Sequence, residues 1–481
     1  MTRPLWTLAE VVAASRGRLD PPEGASAPAA TAATGVSIDT RSLAPGDLFV
    51  PLTAARDGHA FVPAAFGAGA AAALVSEGYG RQSGDGILVR VDDPLRALER
   101  LGVAARARLA DTARVIAVTG SAGKTGTKEM LRACLMHCAA SPDTVHAPEK
   151  SFNNHWGVPL TLARMPAGTA FGVFEIGMNH PDEIRPLARM VRPHVAIVTN
   201  VLPVHVGNFA DGEIGVANAK AEIFEGLDAG CGTAIILRDS PHYARLDAAA
   251  RQHGAEVVTF GTSADADLRL AAGSGTQGEG TQRVIAERRG TGRRLGFDLG
   301  MIGQHLAINA LAVVAALEAV GCDAERATAA LASVRSAAGR GARIRLSLAG
   351  GDVLLLDESY NANPASMAAA LAGLAATDHG GRRVAILGDM LELGPQSVRY
   401  HLGLKDAAEA ADLVFCSGEN MRHLYDALAL EKKGAWAPSS ADLIPHVVAA
   451  LRPGDTVMVK GSLGSRMAPI VEAIRKAFSG D

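Results

Sequence analysis

Val115-Ile116-Ala117-Val118-Thr119-Gly120-Ser121-Ala122-Gly123-Lys124-Thr125-Gly126 reads as a buried strand, a glycine turn and the start of a helix, and that order decides the fold. An unbroken β-branched run belongs to a strand covered on both faces, as in a parallel sheet. Thr127, Lys128, Glu129, Met130 and Leu131 continue as a helix. Between strand and helix, backbone N–H groups and the helix N-terminus face one point, which suits an anion. Lys124 can neutralise phosphate charge and the Thr125 hydroxyl can ligate Mg²⁺. The strict G-x-x-x-x-G-K-[ST] spacing fails, because Val118 stands five residues before Gly123. The shorter T-G-x-x-G-K-T form remains. Gly120, Ser121, Ala122, Gly123, Lys124, Thr125 and Gly126 are the candidate ATP-phosphate contacts. A glycine-rich turn with a chance Lys-Thr is the plain alternative, but strand, loop, lysine, hydroxyl and helix all occur in sequence.

Outward from this loop, strands are expected at residues 171–176, 195–199, 233–237 and 257–261, with helical patterns between most of them. That alternation argues for βαβ units and a parallel sheet. Residues 306–320 form an Ala/Leu helix, and 271–282 a hairpin tip or loose loop. Past Gly339, strands at 353–357, 384–388, 413–416 and 456–460 with helices at 365–376 and 440–451 predict a second doubly wound sheet. Ahead of the loop lie a helix at 1–14 interrupted by Glu10, a Pro/Ala-rich bridge at 19–34, and short strands near 36–41, 47–52 and 72–75. The fold class is therefore α/β in three domains, with expected limits 1–111, 112–337 and 338–481.

The 481 residues carry a net charge of −3 with 20% charged and 48% hydrophobic side chains, an ordinary soluble composition. Nothing here has the basic face of a nucleic-acid binder. The longest apolar stretch, 64–75, is too short to span a bilayer, and no leader peptide is evident. Cys134, Cys138, Cys231, Cys322 and Cys416 are scattered, as reduced thiols in a cytoplasmic chain are. No long apolar seam is evident, which points to a monomer.

Further segments define a resemblance. They are Phe174-Glu175-Ile176-Gly177-Met178-Asn179-His180, Thr199-Asn200-Val201 through His205, Ala219-Lys220-Ala221-Glu222-Ile223-Phe224, and Asp357-Glu358-Ser359-Tyr360-Asn361-Ala362-Asn363-Pro364. With Asn153-Asn154 and Gly157-Val158-Pro159, they resemble the Mur ligase family over essentially the whole chain. The resemblance implies a UDP-substrate domain, a central ATPase domain and a C-terminal ligase domain. It implies an ATP-dependent ligase of cell-wall synthesis that uses two Mg²⁺ ions and makes an acyl phosphate. The Ser-Tyr-Asn-Ala-Asn-Pro segment and Gly388-Asp389-Met390-Leu391-Glu392-Leu393-Gly394 point to joining of D-Ala-D-Ala to UDP-N-acetylmuramoyl-tripeptide. The alternative is the relative that adds the third residue, diaminopimelate or lysine. That relative carries an Asp-Asn-Pro motif, which this chain lacks.

By the same resemblance, Thr125, Glu175, His205 and Lys220 hold metal, with Lys220 a candidate carbamate. Asn309 meets adenine. Arg340 reaches the ATP phosphates, and Asp357 meets the ribose or that arginine. Lys124, Lys220, Arg340 and Asp357 are thus the catalytic candidates. Ser37, Thr40 and Arg41 fall on the UDP side, and Asn153 and Asn154 on the substrate loop. Tyr360, Asn361, Asn363, Asp389, Lys460 and Ser462 belong to the third-domain lip of the cleft.

Overall fold

The computed structural model describes residues 4–23, 31–148, 150–277, 280–348, 351–377 and 380–478. Three α/β sheets follow one another along the chain. The first runs Arg18–Asp20, Leu88–Val91, Ala72–Ser76, Asp47–Phe49, Gly35–Ser37, with only its first pairing antiparallel.

The central sheet has ten strands. Its parallel part runs Val145–His146, Phe171–Glu175, Arg114–Thr119, Val195–Val198, Thr233–Leu237, Glu256–Gly261, Leu268–Leu270. Arg114–Thr119 therefore has a strand on both sides, and Val115 to Val118 are fully buried. Glu175 pairs in register with Val118, so its carboxylate stands beside the turn that follows. Loops at the carboxyl ends of such strands are where open α/β sheets bind ligands.

The third sheet runs Ala342–Leu348, Gly351–Glu358, Thr456–Lys460, Arg383–Gly388, Leu413–Ser417, Lys433–Ala437, and all but its first pairing are parallel.

One expectation needs correction. Glu10 does not interrupt a helix but starts one. The helix is Leu8–Ser15, and Thr7 and Glu10 exchange hydrogen bonds as its capping box. Residues 1–3 of the expected helix and 24–30 of the Pro/Ala-rich bridge lie outside the described residues. Of the two readings of the 271–282 stretch, hairpin tip or loose loop, the structure has the hairpin. Gly275–Gln277 pairs antiparallel with Thr281–Arg288, which pairs in turn with Arg294–Leu299. Residues 278 and 279 of that stretch are not among those described. These strands escape sequence reading because Gln282, a polar residue, occupies an inward position beside Val284 and Ala286.

The first two sheets share a core. One apolar cluster continues from Trp6, Val11 and Leu74 through Leu98 and Leu101 to Phe174, Ile236 and Leu246. Trp6 closes the joint: its indole N–H donates to the Ala163 carbonyl at 2.7 Å. The Arg108 guanidinium lies 3.8 Å over the Trp6 ring and donates to the carbonyls of Leu5 and Met165. The third sheet has separate clusters around Met367 and Leu424 on one face and Val447 and Ile474 on the other.

Trp6→Ala removes a buried ring, a hydrogen bond and a stacking partner together. A loss of about 3–5 kcal/mol is expected, measured as a lowered urea midpoint by circular dichroism.

Candidate active site

The phosphate loop is held from the neighbouring strand end. Thr199 Oγ1 donates to the Ala122 carbonyl at 2.7 Å. Asn200 accepts from the Ala122 N–H through Oδ1 and donates to the Ala122 carbonyl through Nδ2. Ser121 Oγ donates to the Leu202 carbonyl and accepts from the Leu202 N–H. Gly120 and Gly123 have φ of 147° and 84°, and both face immediate neighbours. A β-carbon built on Gly120 would stand 1.9 Å from Thr199 Oγ1, and one on Gly123 2.3 Å from Asn309 Nδ2. Asn309, buried on the helix Gln304–Ala319, thus packs directly beneath the loop.

Helix Lys124–Cys138 starts at this turn. Lys124 Nζ donates to the Gly120 carbonyl at 2.7 Å. Desolvation and the nearby Arg340 lower its pKa, against the pull of Glu175. Thr125 Oγ1 donates to Glu175 Oε2 at 2.9 Å, and Asn153 Nδ2 to Oε1 at 2.6 Å. One turn further on, Lys128 is fully buried and donates to the Pro148 carbonyl at 2.6 Å. It thereby holds the segment that carries Ser151 and Asn153.

Ser151 joins the two halves of the site. Its hydroxyl lies 3.2 Å from Thr125 Oγ1 and accepts from the Arg340 guanidinium at 3.3 Å. Arg340 is stacked on Tyr360, 3.8 Å from the ring centroid. Asp357 makes its side-chain hydrogen bonds within its own turn and to Gly339. Its carboxylate is buried and accepts from the Gly339 N–H, the Ser359 N–H and the Ser359 hydroxyl. It thereby fixes the turn that carries Arg340.

Lys220 ends the helix Glu213–Ala221 and is 2% exposed. Desolvation first, and Lys124 second, hold its pKa well below the usual lysine range. Its ammonium has no hydrogen-bond or ion-pair partner among the described residues. His205 lies within electrostatic reach of Lys220 and Lys124, and burial lowers its pKa. Its Nδ1 is bonded to Glu392 of the third domain.

No group of three or more His, Cys, Asp or Glu side chains able to hold a metal comes together among the described residues. The Thr125 hydroxyl and Glu175 carboxylate are nevertheless hard oxygen donors already in contact. Mg²⁺ is usually held by one or two carboxylates plus substrate phosphates rather than by an all-protein cage. The pair fits that ion.

The remaining candidates have local partners. Arg41 is exposed and clasps Asp39, holding that carboxyl down at about 2. Ser37 Oγ donates to the Asp39 carbonyl, and Thr40 is half-buried in the same turn. Asn154 Oδ1 accepts from the N–H groups of Trp156 and Gly157. Asn361 Oδ1 accepts from the Ala362 N–H, and Asn363 caps the helix Pro364–Ala375. Asp389 accepts from the Met421 N–H at the start of the helix Glu419–Ala427. Lys460 binds Glu358 and the Asn361 carbonyl. Ser462 links Ala362 to Leu391. The third-domain set thus forms one braced lip.

Sequence reasoning missed Ser151, Lys128 and Glu392. Glu392 stood inside a quoted segment, and Ser151 two residues before Asn153, but single serines and glutamates carry no pattern. Thr199 and Asn200 were marked without a role.

A glycine loop under a lysine, an acidic strand end and an arginine from the third sheet define a nucleotide-dependent enzyme of α/β type. The chain matches the Mur ligase middle domain over residues 118–317 and the Mur ligase glutamate ligase domain over residues 339–463. It belongs to the Mur ligase family. It is 33% identical to the UDP-N-acetylmuramoyl-tripeptide–D-alanyl-D-alanine ligase of Bacillus subtilis, over 91% of this chain and 92% of that one. It is 34% identical to the enzyme of the same name from Escherichia coli, over 92% and 93%. A crystal structure of MurF from Acinetobacter baumannii superposes with a TM-score of 0.82 at 27% identity, over 98% of this chain and 99% of that one.

Gly123→Ala places a methyl group against Asn309 and a left-handed backbone under a side chain that disfavours it. The backbone effect alone costs roughly 1–2 kcal/mol. ATP affinity is expected to fall at least about tenfold, measured by titration calorimetry, and the thermal midpoint to fall by a few degrees.

Proposed function

We propose that this chain is an ATP-dependent ligase joining D-Ala-D-Ala to the terminal carboxylate of UDP-N-acetylmuramoyl-tripeptide. The products are UDP-N-acetylmuramoyl-pentapeptide, ADP and phosphate, in peptidoglycan precursor synthesis. The names of relatives matched along nine-tenths of the chain support it. The observation that carries it is the contact of Arg340 with Ser151 beside Thr125, which brings the third domain onto the phosphate loop.

An amine does not displace oxide from a carboxylate at neutral pH. Transfer of the γ-phosphoryl group makes an acyl phosphate, and phosphate then leaves as the D-Ala-D-Ala amine attacks. Two anions must first be pressed together, which requires preorganised positive charge. Lys124 and the N–H groups in the first turn of the helix Lys124–Cys138 hold the nucleotide phosphates. Arg340 stabilises charge on the transferred group, and Asn309 borders the nucleotide. Thr125 and Glu175 would hold a first Mg²⁺, and His205 with Lys220 a second; bound there, the ions would neutralise phosphate charge. Lys220 serves as a carbamate. Its depressed pKa leaves the amine free to bond to the carbon of CO₂ with loss of a proton, turning a buried cation into an anionic ligand.

Ser37, Thr40 and Arg41 receive the UDP group, and Asn153 and Asn154 the muramoyl peptide. The lip formed by Tyr360, Asn361, Asn363, Asp389, Lys460 and Ser462 receives the dipeptide. One chain closing on itself supplies every group named, so the enzyme works as a monomer, in the cytoplasm where its UDP-linked substrate is made. No helix among the described residues is long and apolar enough to cross a membrane.

Phosphate release with ATP and UDP-N-acetylmuramoyl-tripeptide is expected to require D-Ala-D-Ala. Turnover only with diaminopimelate on the dipeptide precursor would instead assign the preceding step.

Lys220→Ala is expected to lower kcat by at least about a hundredfold. Isotopically labelled bicarbonate should give a carbamate carbon resonance in the parent enzyme that this variant lacks. An unchanged resonance would place the carbamate elsewhere.

A further inference from the structure

His205 and Glu392 meet across the seam between the central and third domains. Both have left-handed backbones, with φ of 56° and 64°, a conformation non-glycine residues seldom adopt outside functional turns. The seam is tightest two residues on. A β-carbon built on Gly207 would stand 3.1 Å from the Gly394 nitrogen, and one on Gly394 3.1 Å from the Gly207 Cα. The two turns fit with no room for a side chain between them.

The bond uses Nδ1. Nε2 has no hydrogen-bond partner among the described residues, and Lys220 and Lys124 lie near enough to act electrostatically on the ring. A histidine whose Nδ1–H is held by a carboxylate presents the Nε2 lone pair, the form in which imidazole ligates metals. Carboxylates so placed also fix the orientation of the ring.

We propose that Glu392 is a positioning residue which, when the third domain docks, fixes His205 with Nε2 presented to a divalent cation. Domain closure and completion of the second cation site are then one event. The third domain contributes to a site otherwise built by the central one. This rests on the reading of His205 as a Mg²⁺ ligand.

The test uses the full-length enzyme with a non-hydrolysable ATP analogue and Mn²⁺ as a paramagnetic probe. Glu392→Ala is expected to weaken the His205-dependent Mn²⁺ about tenfold. It should also raise the KM for Mg²⁺ while leaving those for ATP and D-Ala-D-Ala unchanged. Glu392→Gln, whose amide oxygen still accepts from Nδ1–H, should recover most of the loss. His205→Ala should lose the same Mn²⁺, and adding Glu392→Ala to it should change nothing more. If His205→Ala weakens Mn²⁺ binding and Glu392→Ala does not, the positioning role is wrong and the ligand assignment stands. If His205→Ala itself leaves Mn²⁺ binding unchanged, the ligand assignment fails and the proposal with it. Glu392 has a half-exposed side chain, so its variants are expected to fold, and thermal melting verifies this.

Discussion

Uncompensated positive charge in a desolvated space governs this site. Arg340 acts on Lys124 and Lys124 on Lys220 there, and Glu175 is the carboxylate that counters Lys124. Both Glu175 oxygens are already committed, one to Thr125 and one to Asn153. Like charges at low dielectric repel strongly. Such an arrangement is favourable only when anions complete it, and the lysines respond by lowering their pKa values. The rest of the structure serves to keep the cations where they are. Thr199 and Asn200 fasten the loop, Lys128 holds the Ser151 segment, and Asp357 braces the turn that delivers Arg340.

Much of this was legible in the chain because buried parallel strands write themselves as continuous apolar runs. The loop strand Arg114–Thr119, its neighbours and the third-sheet strands Gly351–Glu358 and Thr456–Lys460 all follow from that signal. The antiparallel hairpins did not, since Thr281–Arg288 carries three arginine or glutamate side chains and buries a glutamine. Glu10 misled for a related reason: a charge in an apolar stretch looks like a break until the serine-like side chain of Thr7 is seen to pair with it.

The site divides in the same way. Glycine, lysine and threonine at fixed spacing announce a phosphate loop, and a strand-end acid such as Glu175 announces itself by position. Residues that act across long separations leave no such trace. Arg340 lies 189 residues from Ser151 and Glu392 187 from His205, and only the fold brings them together. Several lip residues, Asp389 and Ser462 among them, proved to brace one another through backbone groups, which residue type alone does not disclose.

The apolar core that passes unbroken from the first sheet into the second makes those two units a single rigid body, while the third keeps its own cores. The turn at Ser37–Arg41, proposed to receive UDP, and the glycine loop therefore stand on one packed core. For a bivalent ligand spanning both, the linker length has one optimum, and a stiff linker of that length suffers little entropic penalty. A ligand tethered instead from the glycine loop to the third-sheet lip would span two separately packed cores, and there a flexible linker would be the better choice.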